Sequence, residues 1–321
     1  RLQAAGFAVT LIDPGHPRRA ASFGNIGHIA AEQVSPLASC ESLRTFPGRL
    51  FGLGGPLDFR WRDAGLWGPW ALRFIAASGP AQHARGQAAL SAILAHALPA
   101  WRRLADFSGA PGVVGRDGHA VVWMSERGAE RGLRTWERSA TGSAAFRRMS
   151  ADDLAPYGDV MGRGPVAGIR FSGTAQVSEP QAARDALMAA FEARGGEVVH
   201  DRVARLTGGE RVTACLDDGG LREAEGALVA AGAWAGQLMR GLGVAAPVIG
   251  ERGYSVQSAD HSWDESLPPT VFEEHAMVVS RFTSGLRASS FVEFGSPDAP
   301  GDPRKWRVLE RRLSALGIRF S

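Results

Sequence analysis

The sequence predicts an α/β protein, and three observations carry that expectation. "RLQAAGFAVTLID" is a helix end, a glycine stop and an apolar strand closing on Asp13. "SEPQAARDALMAAFEARGGEVVHDRVARL" repeats the plan, with Pro180 at the first helical position, a Gly-Gly stop and a second apolar strand. "GALVAAGAWA" adds a buried strand that meets a glycine and then a new helix. At 321 residues the chain is too long for one small core, so one large or two interleaved domains are expected.

Taken in order, Arg1 to Gly6 reads as the last turns of a helix with a C-cap glycine, so the chain is expected to begin inside a domain. The next strand makes this the αβ half of a βαβ unit. An acid ending the second strand of a dinucleotide-binding βαβ unit holds the adenosine ribose, while strand-ending Asp residues are also common turn formers; Asp13 alone fits both. Behind it, "HPRRAASFGNIGHIAAEQ" reads either as a loop that grips a ligand or as a glycine-bearing turn. Residues 36–80 show no sustained period and read as a long connection with a short helix from Pro69 to Ala77. Their Trp and Arg content fits a surface that meets membrane or a partner, and equally aromatics packed under a loop.

Gln82 to Phe107 carries helical periodicity, with Pro99 as the expected kink or break. His83 and His96 on it are not i, i+4 partners, which argues against a metal site there. Residues 112–125 read as a hairpin turning at Asp117-Gly118, Ser150 as the N-cap of a one-turn helix, and residues 211–224 as a hairpin turning at Asp218-Gly219-Gly220. The junction in "GALVAAGAWA" suits either a phosphate against a helix N-terminus or simple close packing.

Composition excludes several classes. Hydrophobic residues make up 45% and charged residues 21%, ordinary values for a globular chain. The net charge of +3 is spread along the sequence, which argues against nucleic-acid binding. Cys40 and Cys215 form neither a zinc spacing nor a disulfide scaffold and read as two unpaired, partly buried thiols. No run of about 18 apolar residues offers a transmembrane helix, no signal peptide opens the chain, and no GxSxG points to a serine hydrolase.

The segments "AGFAVTLID", "ASFGNIGHIA", "PLDFRWRDAGLWGPWALRFIAAS", "VSEPQAARDALMAAFEARGGEVVHDRVARL", "EGALVAAGAWAGQLMRGLGVAAPVIGERGYSV" and "SRFTSGLRASSFVEF" stand in a collinear order. In that order the chain resembles the FAD-dependent amino-acid oxidoreductases of the D-amino-acid oxidase fold, most of all the bacterial D-amino-acid dehydrogenase small-subunit type. The resemblance implies a Rossmann-like FAD-binding domain of residues 1–108 and 174–238, interleaved with an α+β substrate domain of residues 109–173 and 239–321 built on a mixed or antiparallel sheet. For FAD it implies Asp13 at the adenosine ribose, and Ser22 and Phe23 by the diphosphate with Arg18 or Arg19 adding positive charge. It places Asn25, Ile26, Gly27 and His28 by the flavin ring, Val203 against the adenine through its backbone, and Ala231, Gly232 and Trp234 over the phosphates. Arg252 and Tyr254 are expected near the substrate, with Arg281 or Arg287 as carboxylate partners, since Arg clamps a carboxylate with paired donors; a solvated strand residue is the plain alternative for each arginine.

The activity implied is oxidative deamination of D-amino acids to 2-oxo acids by hydride transfer to flavin N5, with no catalytic base assigned. A glycine- or sarcosine-type amine oxidase of the same fold is an alternative, as is a non-catalytic truncated remnant acting through protein contacts. The acceptor implied is oxygen, a quinone or the respiratory chain. The location implied is cytoplasmic, with peripheral contact to the inner face of the cell membrane left open. The resemblance also implies a glycine-rich diphosphate loop upstream of Arg1, and a continuation beyond Ser321 carrying a substrate-binding arginine and a last glycine-rich segment.

Overall fold

The computed structural model of the chain describes residues 2–15 and 20–320. The first half runs β1 (Thr10–Ile12), β2 (His28–Ile29), α1 (Cys40–Arg49), β3 (Leu57–Phe59), α2 (Ala64–Ala77), α3 (Pro80–Leu94), α4 (Ala97–Phe107), β4 (Val114–Asp117), β5 (Ala120–Trp123), α5 (Glu126–Arg138), β6 (Ala145–Arg148) and α6 (Ala151–Met161). The second half runs β7 (Ala167–Ser172), β8 (Ala175–Val177), α7 (Pro180–Glu192), β9 (Glu197–Val199), β10 (Val203–Thr207), β11 (Val212–Leu216), β12 (Leu221–Ala224), α8 (Ala235–Arg240), β13 (Gly250–Ser258), β14 (Thr270–Phe272), β15 (Met277–Phe282), β16 (Gly285–Gly295) and α9 (Pro303–Ala315).

Among the described residues these strands form four sheets. β1 pairs in parallel with β9, and β10, β11 and β12 make an antiparallel meander. β2, β8 and β4 form a small antiparallel sheet. The largest sheet has eight strands in the order β13-β16-β15-β14-β5-β7-β6, with β3 added beside β16. It is mixed, since β14 runs parallel to β5 and β3 parallel to β16 while its other pairs are antiparallel.

The core sits on both faces of this large sheet. All four residues of β5 are buried, and their alternation divides them between two clusters. Ala120 and Val122 pack with Tyr157, Phe272, Leu309 and Leu313 under α6 and α9; Val121 and Trp123 pack with Ala129, Ile169 and Phe171 under α5. A strand covered on both faces reads as a continuous apolar run, which is why "AVVW" shows no polar alternation. A third cluster, Ile29, Leu98, Ala175, Val177 and Ala183, fills the space between the small sheet, α4 and α7.

Local signals hold where they are strong. Ser150 caps α6 by a full capping box with Asp153, Pro180 opens α7, and the turn around Asp218 joins β11 to β12. Five expectations are corrected. Residues 36–80 form α1, β3 and α2 rather than a loose connection. Neither helix has a fully buried residue, so no core stripe appears in the sequence; Trp70 and Phe59 instead stack on Phe294 of β16 at ring distances of 4.7 and 4.9 Å. The break in 82–107 falls between α3 and α4, and Pro99 sits in the first turn of α4, where no amide partner is needed. The helix after Ser150 has 11 residues, running on through Pro156.

The fourth correction concerns two strands. β4 and β5 are not a hairpin: they belong to different sheets, and the chain crosses between them at Gly118, whose φ is +76°. A Cβ there would lie 2.0 Å from the Phe171 carbonyl oxygen, so only glycine fits. β8 and β7 cross beside it at Gly173 and Thr174, tied by the Gly118 amide donating to the Thr174 carbonyl and the Phe171 amide to the His119 carbonyl. Residues 225–231 likewise form no strand, and Leu228 is 80% exposed. Among the described residues no strand lies alongside to accept its hydrogen bonds, and an unpaired strand is not stable in water.

Candidate functional site

Asp13 stands at the C-terminal end of β1, where its amide donates to the Val199 carbonyl and so extends the parallel ladder by one bond. Its Oδ1 accepts from the Gly15 amide at 2.8 Å, and the carboxylate is solvent-facing. Arg18 and Arg19 lie outside the described residues.

Residues 20–27 turn tightly. The Phe23 amide donates to the Ala20 carbonyl and Asn25 Oδ1 accepts from the Gly27 amide at 2.7 Å, a side chain mimicking a backbone turn. Ser22, Phe23 and Asn25 are exposed, Ile26 and His28 half-buried and Gly27 buried. Gly27 has φ +72°, and a Cβ would sit 2.8 Å from the Val177 carbonyl oxygen. The chain is thereby pressed against β8, and its polar side faces outward.

Arg287 of β16 locks this turn to the large sheet. Its Nη1 donates to the Asn25 carbonyl at 2.5 Å, its Nε and Nη2 both donate to Gln257 Oε1, and its guanidinium lies 4.7 Å above the Phe282 ring. The residue is 3% exposed, and among the described residues no carboxylate comes within ion-pair distance of it. Burial lowers its pKa from the ordinary arginine value, with the more distant Glu179 pulling the other way. Its charge is met by neutral oxygens and an aromatic face rather than by an acid.

The other three expected substrate residues do not join it. β13 alternates: Gln257 meets Arg287 and Ser255 meets Gly24, while Arg252 meets the Pro297 and Ala299 carbonyls and Tyr254 meets Asp302 and Trp306 at the start of α9. There Arg252 pairs with Glu293 at 3.3 Å, and the Tyr254 hydroxyl donates to Glu293 Oε2 at 3.0 Å. The fully buried Lys305 donates to Asp58 at 2.6 Å and to Glu293. Burial works against the Lys305 ammonium, but these hydrogen bonds outweigh it and raise its pKa. The cluster is internally satisfied. Arg281 pairs with Glu265 at the surface. Val203 opens β10, and Ala231 precedes a short turn, Gly232–Trp234, whose Trp234 Nε1 donates to Asp298 at 3.0 Å. Gly232 has φ +52°, and nothing lies within 4 Å of where a Cβ would be, so its surroundings are open.

Sequence reading missed Gln257 and a buried group at the crossing of the sheets. His28 Nε2 lies 2.9 Å from Glu32 Oε1, His119 Nε2 lies 3.9 Å from the same oxygen, and the two rings meet edge to face at 4.4 Å. Burial raises the Glu32 carboxyl, but the hydrogen bond from His28 and the pull of both imidazoles outweigh it and hold the pKa below the usual range. Burial, helped by His28, pushes His119 down to about 3. Only the i, i+4 spacing of His28 and Glu32 was visible in sequence; His119 is brought in by the fold. Period-2 alternation in "YSVQS" was the available signal for Gln257.

The family description DAO, FAD dependent oxidoreductase, matches residues 1–316. The chain belongs to this family. It is similar to a D-amino-acid oxidase of Bradyrhizobium diazoefficiens, 29% identical over 97% of this chain and 74% of the relative. A D-amino acid dehydrogenase of Paramagnetospirillum magneticum is also 29% identical, over 99% of this chain and 78% of the relative. Among solved structures, a glycine oxidase from Geobacillus kaustophilus superposes with TM-score 0.62 at 16% identity, over 98% of this chain and 72% of that one. At that identity the likeness is one of fold. The protein is an FAD-dependent oxidoreductase, and among the described residues no helix is long and apolar enough to cross a membrane.

The residues present fit FAD. An exposed carboxylate ends a parallel strand, the turn behind it offers an exposed aromatic ring, and Gly27, packed against Val177 and Phe282, holds that turn with its polar side outward.

Proposed function

We propose that this chain oxidises D-amino acids to 2-oxo acids and ammonia, with Arg287 binding the substrate carboxylate. The buried, acid-free guanidinium beside the 20–27 turn is the observation that carries this reading. The names of the two 29%-identical relatives, a D-amino-acid oxidase and a D-amino acid dehydrogenase, support the substrate class.

Bound FAD supplies the two-electron acceptor. Asp13 would hold its ribose, and the backbone of residues 22–28 would run along its diphosphate and ring, with the 231–234 turn closing over the phosphates and Val203 meeting the adenine. Arg287 neutralises the substrate carboxylate, and its bonds to Asn25 and Gln257 fix the guanidinium plane so that a carboxylate meets two donors at once. Phe282 and Phe23, 4.7 and 6.0 Å from the guanidinium, keep water from it and strengthen the pair.

The test is anaerobic flavin reduction in FAD-loaded protein with D-amino acids, their L-enantiomers, glycine and sarcosine. D-amino acids are expected to bleach the flavin fastest. Arg287→Met is expected to raise the KM for D-amino acid by on the order of 100-fold, with flavin occupancy measured separately. Preference for glycine or sarcosine, or an unchanged KM at full occupancy, overturns the reading. Stoichiometric peroxide in air identifies an oxidase; its absence, with turnover on an artificial quinone, identifies a dehydrogenase.

A further inference from the structure

We propose that His28, Glu32 and His119 form a binding site for a divalent transition metal of the zinc type. The three side chains come from β2, the turn after it, and the crossing between β4 and β5. One ligand atom from each lies within 4.8 Å of the other two. A metal with bonds of about 2.0–2.1 Å in tetrahedral geometry needs ligand atoms roughly 3.3 Å apart. The separations from Glu32 Oε1, 2.9 Å to His28 Nε2 and 3.9 Å to His119 Nε2, fall on either side of that spacing. Two imidazoles and a carboxylate are a donor set suited to zinc.

Two further features go beyond a hydrogen-bonded cluster. Glu32 is 4% exposed, and its Oε2 is buried without a partner, an arrangement that costs free energy unless a cation satisfies it. His119 is held for a ligand: Nδ1 is engaged by Thr174 Oγ1 at 3.1 Å, and the ring stacks on Phe171 at 4.5 Å and 5°. A hydrogen bond to the outer nitrogen is how proteins orient a metal-binding imidazole. With that nitrogen taken, Nε2 faces Glu32 at a distance too long for a hydrogen bond and short enough to share an ion. Side-chain exposures of 15% for His28, 5% for His119 and 2% for Glu32 leave the His28 side as the way in and as the place for a fourth, water ligand.

A metal here joins two sheets. His28 belongs to the small sheet, and His119 sits where the chain enters the large one, so coordination clips the two together directly behind the Asn25–Gly27 turn.

The test uses tag-free, chelator-stripped protein titrated with ZnCl2 alone, metal content being read by mass spectrometry after dialysis, and with CoCl2, whose visible absorption reports tetrahedral coordination. One equivalent per chain is expected, with a tetrahedral Co2+ spectrum and a raised Tm. Glu32→Gln and His119→Gln are expected to bind on the order of 100-fold more weakly, and Thr174→Val, which keeps all three donors, about 10-fold more weakly. Far-UV circular dichroism separates folded variants from unfolded ones. Sub-stoichiometric zinc in the wild-type chain overturns the site, as does equal affinity in folded Glu32→Gln; that result leaves a hydrogen-bonded cluster. The readout is independent of flavin and turnover, so it stands apart from the proposed activity.

Discussion

β5 and β1 are both short apolar strands, Ala-Val-Val-Trp and Thr-Leu-Ile, and they end in opposite surroundings. All four residues of β5 are buried, and none of β1 is. The difference lies in what flanks them: β5 has a strand on each side and helices over both faces, whereas β1 has β9 alone among the described residues. Phe7 at 60% and Leu11 at 37% exposure remain uncovered. The large sheet is thus covered on both faces by the chain itself, whereas the β1–β9 pair is not, so a ligand bound there would add stability that the large sheet does not need.

The comparison is sharpened first where it predicts the largest effect. Phe272→Ala, in the core of the large sheet, removes a side chain that is 0% exposed and is expected to cost about 3–5 kcal/mol in chemical denaturation. A loss under about 1 kcal/mol would mean that this core is loosely packed and the contrast is false. Leu11→Ala is expected to change the flavin-free protein by less than about 0.5 kcal/mol. In the flavin-loaded protein the same substitution should lower both Tm and flavin occupancy. A core-sized loss without flavin would show that the β1–β9 pair is anchored by something other than the cofactor.

The smallest effect concerns pH. Asp302 caps α9 and is held down to about 2 by its hydrogen bonds with Arg304, against an ordinary value of 3.8. Its folded pKa lies below the unfolded one, so its contribution is fully present above about 4 and is lost as pH falls from 3.8 toward 2. Asp302→Asn should therefore melt below the wild type at pH 7, and the gap should close across that acid window. A gap that persists at pH 2 assigns the effect to packing.

What sequence made legible follows the range of the forces involved. The Asp13 strand end, the Pro180 start and the Ser150 cap rest on neighbours a few residues away and were readable directly. The sheet change at Gly118 was not, because Asp-Gly between apolar runs is also the strongest hairpin signal; the deciding contact, with Phe171, is 53 residues distant in sequence. For the same reason Arg287 could be named while its partner Gln257 could not: their pairing depends on the register of β13 against β16, which includes an irregularity between Arg252 and Tyr254. The exposed segment around Leu228 misled because an apolar run does not reveal whether a strand waits to pair with it.

The double crossing at Gly118 and Gly173 has a mechanical meaning. Two antiparallel strands pass from one sheet to the other side by side, bonded to each other at the point of passage. Two hydrogen-bonded connections constrain the sheets more than a single peptide would, and His119 lies within that joint.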